Sequence, residues 1–129
     1  MLLQSAIEEF GQRLGMPSLA AGPDGLVALD VSGVGRLFLE ISRKSGHEEL
    51  LAYLTRAVPS HDSDLARRAL AFCHYRHGHP MPLWAGVHKG NLVVLTRFNE
   101  REATGQALEN AALFLAECLN GIIKEGQHA

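Results

Sequence analysis

The chain has 129 residues and a mass of 14.0 kDa, the size of one domain, so we expect a single domain over residues 1–129. Lys and Arg number 12 and Asp and Glu 14, and this near balance argues against a nucleic-acid-binding protein. An apolar content of 47% excludes a disordered chain, and no stretch approaches the roughly 20 apolar residues that a membrane span requires. The first residues also lack the pattern of a secretory signal. We therefore expect a cytoplasmic protein that does not insert into membranes.

Charge is unevenly distributed along the chain. Residues 1–31 carry four acidic residues and one Arg, a net charge of −3, and residues 98–129 carry five acidic and two basic residues, again −3. The overall charge of −2 leaves +4 for residues 32–97, and five of the seven His lie between residues 61 and 88. Two acidic ends therefore flank a mildly basic, histidine-rich centre.

The first predicted element is a helix over residues 2–14. Apolar residues recur there at spacings of three and four, which places them on one helical face: Leu3, Ala6, Ile7, Phe10 and Leu14. Gly15, Met16 and Pro17 follow, a sequence typical of a helix end with a left-handed glycine.

Strands are predicted next, over Leu26–Val31 and Val34–Ser42, with a turn at Ser32-Gly33 between them. The second strand alternates between an apolar face and a mixed face. The apolar face consists of Leu37, Leu39 and Ile41, and the mixed face of Arg36, Phe38 and Glu40. After a polar connection, residues 49–58 fit either a short helix or a strand, and the order of elements slightly favours a third strand.

The second half of the chain predicts a helix, a hairpin and a long final helix. The middle helix opens at Asp64 and ends before Gly78, and its apolar face consists of Leu65, Ala66, Ala69, Leu70, Phe72 and Cys73. Residues 83–88 and 91–98 predict two strands joined by Lys89-Gly90. Asn99 and Glu102 have the spacing of a capping box, which predicts a last helix over about 100–123 and a short flexible tail from about 124.

This order, α-β-β-β-α-β-β-α, predicts the α+β class. We expect a five-stranded, mainly antiparallel sheet with the first and last helices on one face. The other face would then carry Phe38 and Trp84, which indicates self-association or a protein partner. The middle helix would have nothing in its own chain to pack on, and this also indicates self-association or a protein partner.

Histidines are the one group of residues with the spacing of a metal site. His74, His77 and His79 could bind a metal such as zinc, with His61 or His88 completing the set. No carboxylate lies nearby in sequence, and imidazoles also suit a helix end, so a solvated run is favoured over a small metal-binding protein.

No arrangement of residues for catalysis or cofactor binding is evident. Cys73 and His74 are adjacent and would point about 100° apart on a helix, and the chain has no phosphate loop. We expect neither an enzyme nor a cofactor.

The chain resembles the Tir-chaperone (CesT)-like family, the small homodimeric chaperones of bacterial type III secretion. The likeness covers about residues 2–123. It is carried by the stretches FGQRLGMPSL, PDGLVALDV, GRLFLEIS, DLARRALAFC, PLWAGVHKGNLVVLTRF and NEREATGQALENAALFLAECLNGI. These are patterns of apolar residues and turns rather than a catalytic signature.

The resemblance implies an ATP-independent homodimer that binds the N-terminal segment of a secreted effector or translocator in extended form and keeps it competent for secretion. The dimer contact would involve the middle helix and the neighbouring strand, at Leu65, Ala69, Phe72, Cys73 and Trp84. The effector would contact the first helix and the second strand, at Leu3, Ile7, Phe10, Phe38, Glu40 and Ser42. The alternative within the same fold is a regulatory protein that exchanges an anti-activator for a secreted ligand. The basic, histidine-rich stretch departs from the family and suggests a pH-dependent interface.

Overall fold

A computed structural model describes residues 2–44, 46–59, 64–75 and 81–127. Within them the chain forms α1 (Leu2–Arg13), β1 (Leu26–Val31), β2 (Gly35–Lys44), β3 (His47–Ala57), α2 (Leu65–Tyr75), β4 (Trp84–His88), β5 (Asn91–Asn99) and α3 (Gly105–Gln127). The predicted α+β order is confirmed, and the ambiguous segment near residues 49–58 is a strand. None of the helices in these ranges has both the length and the apolar content to cross a bilayer.

α1 ends in the left-handed glycine that the sequence predicted. Gly15 has a positive φ of 76°, its N–H donates to the carbonyl of Gln12, and the N–H of Met16 donates to the carbonyl of Gly11 at 2.7 Å. These two bonds form a Schellman motif, which satisfies carbonyls that the last turn would otherwise leave unpaired. The motif turns the chain sharply, so that Leu14 and Met16 stand together at one end of the helix.

The sheet has the strand order β1-β2-β3-β5-β4, and each neighbouring pair is antiparallel. β3 pairs with β2 on one side and β5 on the other, and Leu50, Ala52 and Leu54 point to one face. A central strand needs side chains that suit burial, and this alternation of apolar residues supplies them. β1 and β4 lie at the two edges.

All three helices of the described chain lie on the same face of the sheet. α3 packs across β3 and β5, α1 packs beside α3, and α2 packs against both α3 and β4. The core between sheet and helices includes Leu39, Leu50, Leu54, Leu92 and Leu115, each of them almost completely buried. The predicted covering of one face by the first and last helices is confirmed, and no described helix covers the opposite face, here called the open face.

The packing of α2 differs from the expectation that it would have nothing in its own chain to pack on. A Cβ atom at Gly121 would lie only 3.0 Å from the ring of Phe72, so the glycine allows that ring to rest on α3. The apolar residues of α2 divide into two stripes. The inner stripe (Leu65, Ala69, Phe72 and Cys73) faces the core, α3 and β4, and the outer stripe (Ala66 and Leu70) faces away from them.

The last helix begins later and ends later than predicted. Asn99 and Glu102 do exchange the two capping-box hydrogen bonds, but they close a turn after β5. Ala103 is buried directly after that turn, and the Thr104 hydroxyl then accepts a hydrogen bond from the N–H of Ala107 and caps the helix. Residues 124–127, which the sequence assigned to a tail, are helical.

Thr96 is a polar residue in the core, and its substitution tests the packing around its buried hydroxyl. Its side chain is fully buried, and its hydroxyl has no hydrogen-bond partner among the described residues. Because a buried unpaired hydroxyl costs free energy, we expect Thr96→Val to raise the free energy of unfolding by about 1 kcal/mol. Urea denaturation measures this change. Thr55→Val, on the open face of the same sheet, is the control and should change the free energy of unfolding much less. A loss of stability in Thr96→Val would contradict this packing.

Candidate protein-binding site

The end of α1, the edge strand β1 and the middle of α3 enclose a groove of about 610 Å³, here called the helix–strand groove. Phe10, Leu37 and Leu54 form its floor, and Leu29 and Val31 of β1 form one wall. The apolar lining residues that are exposed stand at its mouth: Leu14, Met16 and Leu113. Leu113 is 63% exposed, although it lies on a helix whose neighbouring stripe is buried. An exposed apolar groove beside a strand edge is the kind of surface that binds a protein segment.

Ion pairs line the rim of the helix–strand groove. A guanidinium nitrogen of Arg13 lies 3.2 Å from a carboxylate oxygen of Glu109 and also donates to the side-chain oxygen of Gln106. On the opposite rim, Asp30 lies 3.5 Å from Arg36. These pairs tie α1 to α3 and β1 to β2. The charged groups of the rim are therefore neutralised, and the interior remains apolar.

The α1 residues predicted to contact an effector lie deeper than the groove mouth. Leu3 and Ile7 are fully buried, and Phe10 is 1% exposed. The stripe of an amphipathic helix covers its own core first, so these side chains pack under the helix. Of the three, only Phe10 lines the helix–strand groove, and Leu14, Met16 and Leu113 supply the exposed apolar surface. Leu14 and Met16 could have been found from the sequence, because they flank the glycine that ends the helix.

The open face of the sheet carries a row of aromatic residues. Phe38 of β2 stacks on Tyr53 of β3, with ring centroids 5.0 Å apart and planes inclined by 16°. The guanidinium of Arg36 lies 5.6 Å from the Phe38 ring, and that of Arg97 lies 5.0 Å from the Trp84 ring. The prediction that Phe38 and Trp84 occupy the uncovered face is confirmed.

A second groove, of about 570 Å³, crosses this open face and is here called the sheet-face groove. It extends from Glu40 on β2 to Lys89 beyond β4, and Leu51, Tyr53 and Leu95 line its middle. Burial, and secondarily the negative charge of Glu40, raises the pKa of Tyr53, so the phenol stays protonated at neutral pH. Ser42 lies at the end of β2, half-buried on the same face as Glu40.

The outer stripe of α2 forms a third apolar surface together with β4. Leu70 is 64% exposed and Val87 of β4 is 41% exposed, whereas Trp84, also predicted to make a dimer contact, is 46% exposed on the open face of the sheet. Cys73, near the end of α2, faces inward and interacts with the backbone N–H of Ala85 on β4. Leu65 and Ala69, which were predicted to make a dimer contact, are buried in the core of the single chain. Phe72 and Cys73 are half-buried, so Leu70 is the apolar residue of α2 that faces outward most fully.

The structure offers no support for a metal centre in the residues that it describes. Within those ranges, no group of three or more His, Cys, Asp or Glu side chains has the arrangement of a metal site. His61, His77 and His79 lie outside the described residues, as does the side chain of His74. His88, at the end of β4, is exposed.

A family model for the type III secretory system chaperone SycN matches residues 2–121. The chain belongs to this family of type III secretion chaperones. The family is a class of chaperones rather than of enzymes, which confirms the prediction of a non-enzymatic protein and agrees with the resemblance drawn from the sequence. No sequence among the curated proteins matches this chain.

Solved structures with the same fold agree with this assignment. A chain of the HopA1–SchA chaperone–effector complex matches with a TM-score of 0.66 and 17% identity, over 93% of this secretion chaperone and 91% of that chain. A chain of the ExsC–ExsE complex matches with a TM-score of 0.62 and 21% identity, over 90% and 84%. A chain of the ExoU–SpcU complex from the type III secretion system of Pseudomonas aeruginosa matches with a TM-score of 0.54 and 19% identity, over 92% and 93%.

The two thiols of this secretion chaperone provide a test of the packing of α2 on α3. Burial, with smaller contributions from the charges of Cys73 and Glu117, raises the pKa of Cys118 to about 12. Because the thiolate is the reactive form, we expect iodoacetamide at pH 8 to alkylate Cys118 about a thousandfold more slowly in the folded protein than in urea. Peptide mapping by mass spectrometry distinguishes Cys118 from Cys73. Alkylation of Cys118 at a rate within tenfold of the unfolded value would contradict the burial of this thiol.

Proposed function

We propose that this protein is a homodimeric, ATP-independent chaperone of the bacterial cytoplasm that binds the N-terminal segment of a type III secretion effector or translocator. The bound segment is held without a compact fold and remains competent for secretion. The observation that carries this proposal is the helix–strand groove, an apolar groove open to solvent beside the edge of the sheet in a member of a secretion-chaperone family. The likeness to a chain of a chaperone–effector complex supports it.

The groove suits an extended client for two physical reasons. β1 pairs with β2 on one side, and its other edge has no strand partner among the described residues, so its main chain is available to an added strand. Apolar side chains of that strand can then fill the groove between Leu14, Met16 and Leu113. Main-chain pairing is independent of the client sequence, and the groove selects for apolar residues at particular positions.

The energetics agree with reversible binding of an unfolded segment. Completing the burial of an exposed leucine such as Leu113 contributes about 1 to 2 kcal/mol, and three such residues stand at the mouth. The client loses conformational entropy when it is ordered, so the net affinity is modest for each residue bound. Binding of this kind needs no nucleotide, because the free energy comes from the contact itself.

Dimer formation is the second part of the proposal. Leu70 of α2 and Val87 of β4 are exposed on the helix side of the sheet, at the edge opposite to β1. Contact between two copies through this surface would bury Leu70 and Val87, and it would leave Trp84 on the open face and both helix–strand grooves accessible. A long client segment could then contact both copies.

The first test measures client capture. Fragments encoding the N-terminal segments of secreted proteins from neighbouring genes are co-expressed with the chaperone, and co-purification is scored. We expect Leu113→Glu to reduce capture at least tenfold, because a carboxylate at the mouth of an apolar groove must be desolvated on binding. The same substitution should leave the thermal unfolding midpoint nearly unchanged, since Leu113 is exposed.

The matched control for capture is Asn110→Glu. Asn110 is exposed on the same helix, one turn from Leu113, and it does not line the helix–strand groove. This substitution adds the same charge and should leave capture intact. Equal capture by the wild type and the Leu113→Glu variant would overturn the assignment of the groove.

The second test measures the oligomeric state by light scattering coupled to size-exclusion chromatography. We expect the wild type to be a dimer and Leu70→Glu to shift it to a monomer, because the substitution places a charge in the proposed contact. Leu113→Glu should remain a dimer, which makes the two variants controls for each other. A wild-type protein that is monomeric at micromolar concentration would refute the homodimer.

A further inference from the structure

The open face of the sheet carries a carboxylate, that of Glu40, which is in no ion pair among the described side chains. Asp30 pairs with Arg36, and Glu49 lies 4.0 Å from Arg97. Glu40 lies on the same face and has no ion-pair partner among the described residues. Both arginines of this face are also held over aromatic rings, so they are not directed toward Glu40.

Glu40 stands at one end of the sheet-face groove, beside apolar surface. Leu26 and Leu51 are its direct neighbours across the sheet, and Tyr53 is close enough for the Glu40 charge to affect its phenol. The side chain of Glu40 is half-buried. A carboxylate in such a place attracts a cation more strongly than one on an open surface, because the surrounding apolar groups screen the charge less.

The dimensions of the groove limit what can occupy it. From β2 to β4 the groove crosses β3 and β5, which is three strand spacings or about 14 Å. An extended chain rises about 3.3 Å per residue, so roughly four to five residues span the groove. Trp84 stands exposed at the far side and offers a wide apolar surface to the other end of such a segment.

We propose that the sheet-face groove binds a short extended segment of the secreted client in which a Lys or Arg that pairs with Glu40 is followed by apolar residues that cover Leu51, Leu95 and Trp84. This inference rests on the proposed function, because it assigns a second contact and a sequence preference to the same client chain. The helix–strand groove selects apolar residues, and the sheet-face groove adds the requirement for a positive charge. Together they would distinguish the client from other unfolded chains that are merely apolar.

The test uses three synthetic peptides and the intrinsic fluorescence of the protein. Trp84 is the one tryptophan of the chain and stands at the groove, so its emission reports occupancy directly. The peptides have acetylated and amidated ends and the sequence X-Ala-Leu-Ala-Val-Gln, where X is Arg, Gln or Glu. We expect the Arg peptide to bind the wild type about fivefold more tightly than the Gln peptide, and the Glu peptide to bind most weakly.

Charge-changing variants at Glu40 then test the pairing itself. Glu40→Gln should bind the Arg and Gln peptides equally, and Glu40→Lys should prefer the Glu peptide. The control Glu117→Gln removes an exposed carboxylate of α3 that lines neither groove, and it should keep the wild-type preference. Far-ultraviolet circular dichroism checks that each variant is folded.

Several outcomes would overturn the inference. These are equal affinities of the three peptides for the wild type, the absence of any change in Trp84 emission, and a preference for the Arg peptide that persists in Glu40→Lys. Trp84 emission that depends on protein concentration, without any response to peptide, would assign the face to a second copy of the chain instead. Capture by the helix–strand groove is measured separately through Leu113→Glu. Loss of the peptide preference with intact capture therefore removes only this inference. The reverse result removes the proposed function and leaves a groove that prefers a basic peptide without an assigned client.

Discussion

The packing of α3 across the middle of the sheet is the contact on which the other features depend. Its inner side chains lie on β3 and β5, and Leu108, Leu115, Leu119 and Ile122 are almost completely buried there. Burying side chains of this size contributes roughly 2 kcal/mol each before the entropy cost. α1 and α2 then pack on either side of α3. The described helices therefore lie on one face, and none of them covers the second face of the sheet.

The two grooves follow from this arrangement and differ in chemistry. The helix–strand groove exists because α3 extends past the end of α1, where the Schellman turn leads the chain away from the helix. Its interior is apolar and the charges at its rim are paired, which suits apolar anchors. The sheet-face groove lies where no described helix covers the strands, and its surface combines aromatic rings with the carboxylate of Glu40. Two surfaces on opposite sides of one thin domain can contact a client that wraps around it.

Local signals in the sequence predicted most of the fold. The positive φ at Gly15, the Lys89-Gly90 hairpin and the alternation along β2 all depend on interactions within a few residues, so their outcome is visible in sequence. The start of α3 was predicted wrongly because the prediction used only such local interactions. Asn99 and Glu102 form the local bonds that their spacing predicts, but the burial of Ala103 places a turn there and moves the helix start to Gly105. The spacing alone does not distinguish a capped turn from a capped helix.

The sequence by itself determined the class of the protein, the order of its elements and the absence of an evident catalytic set, because these depend on periodicity, turn residues and composition. Tertiary structure decided which apolar residues are available to a partner. The spacing of Leu65 and Leu70 places both on the apolar side of α2, yet one is buried against the core and the other is 64% exposed. Helical spacing likewise does not show that Leu3 is buried and that Leu113 is exposed. Burial depends on which neighbouring elements cover a side chain, and that is set by the packing of the helices on one face of the sheet.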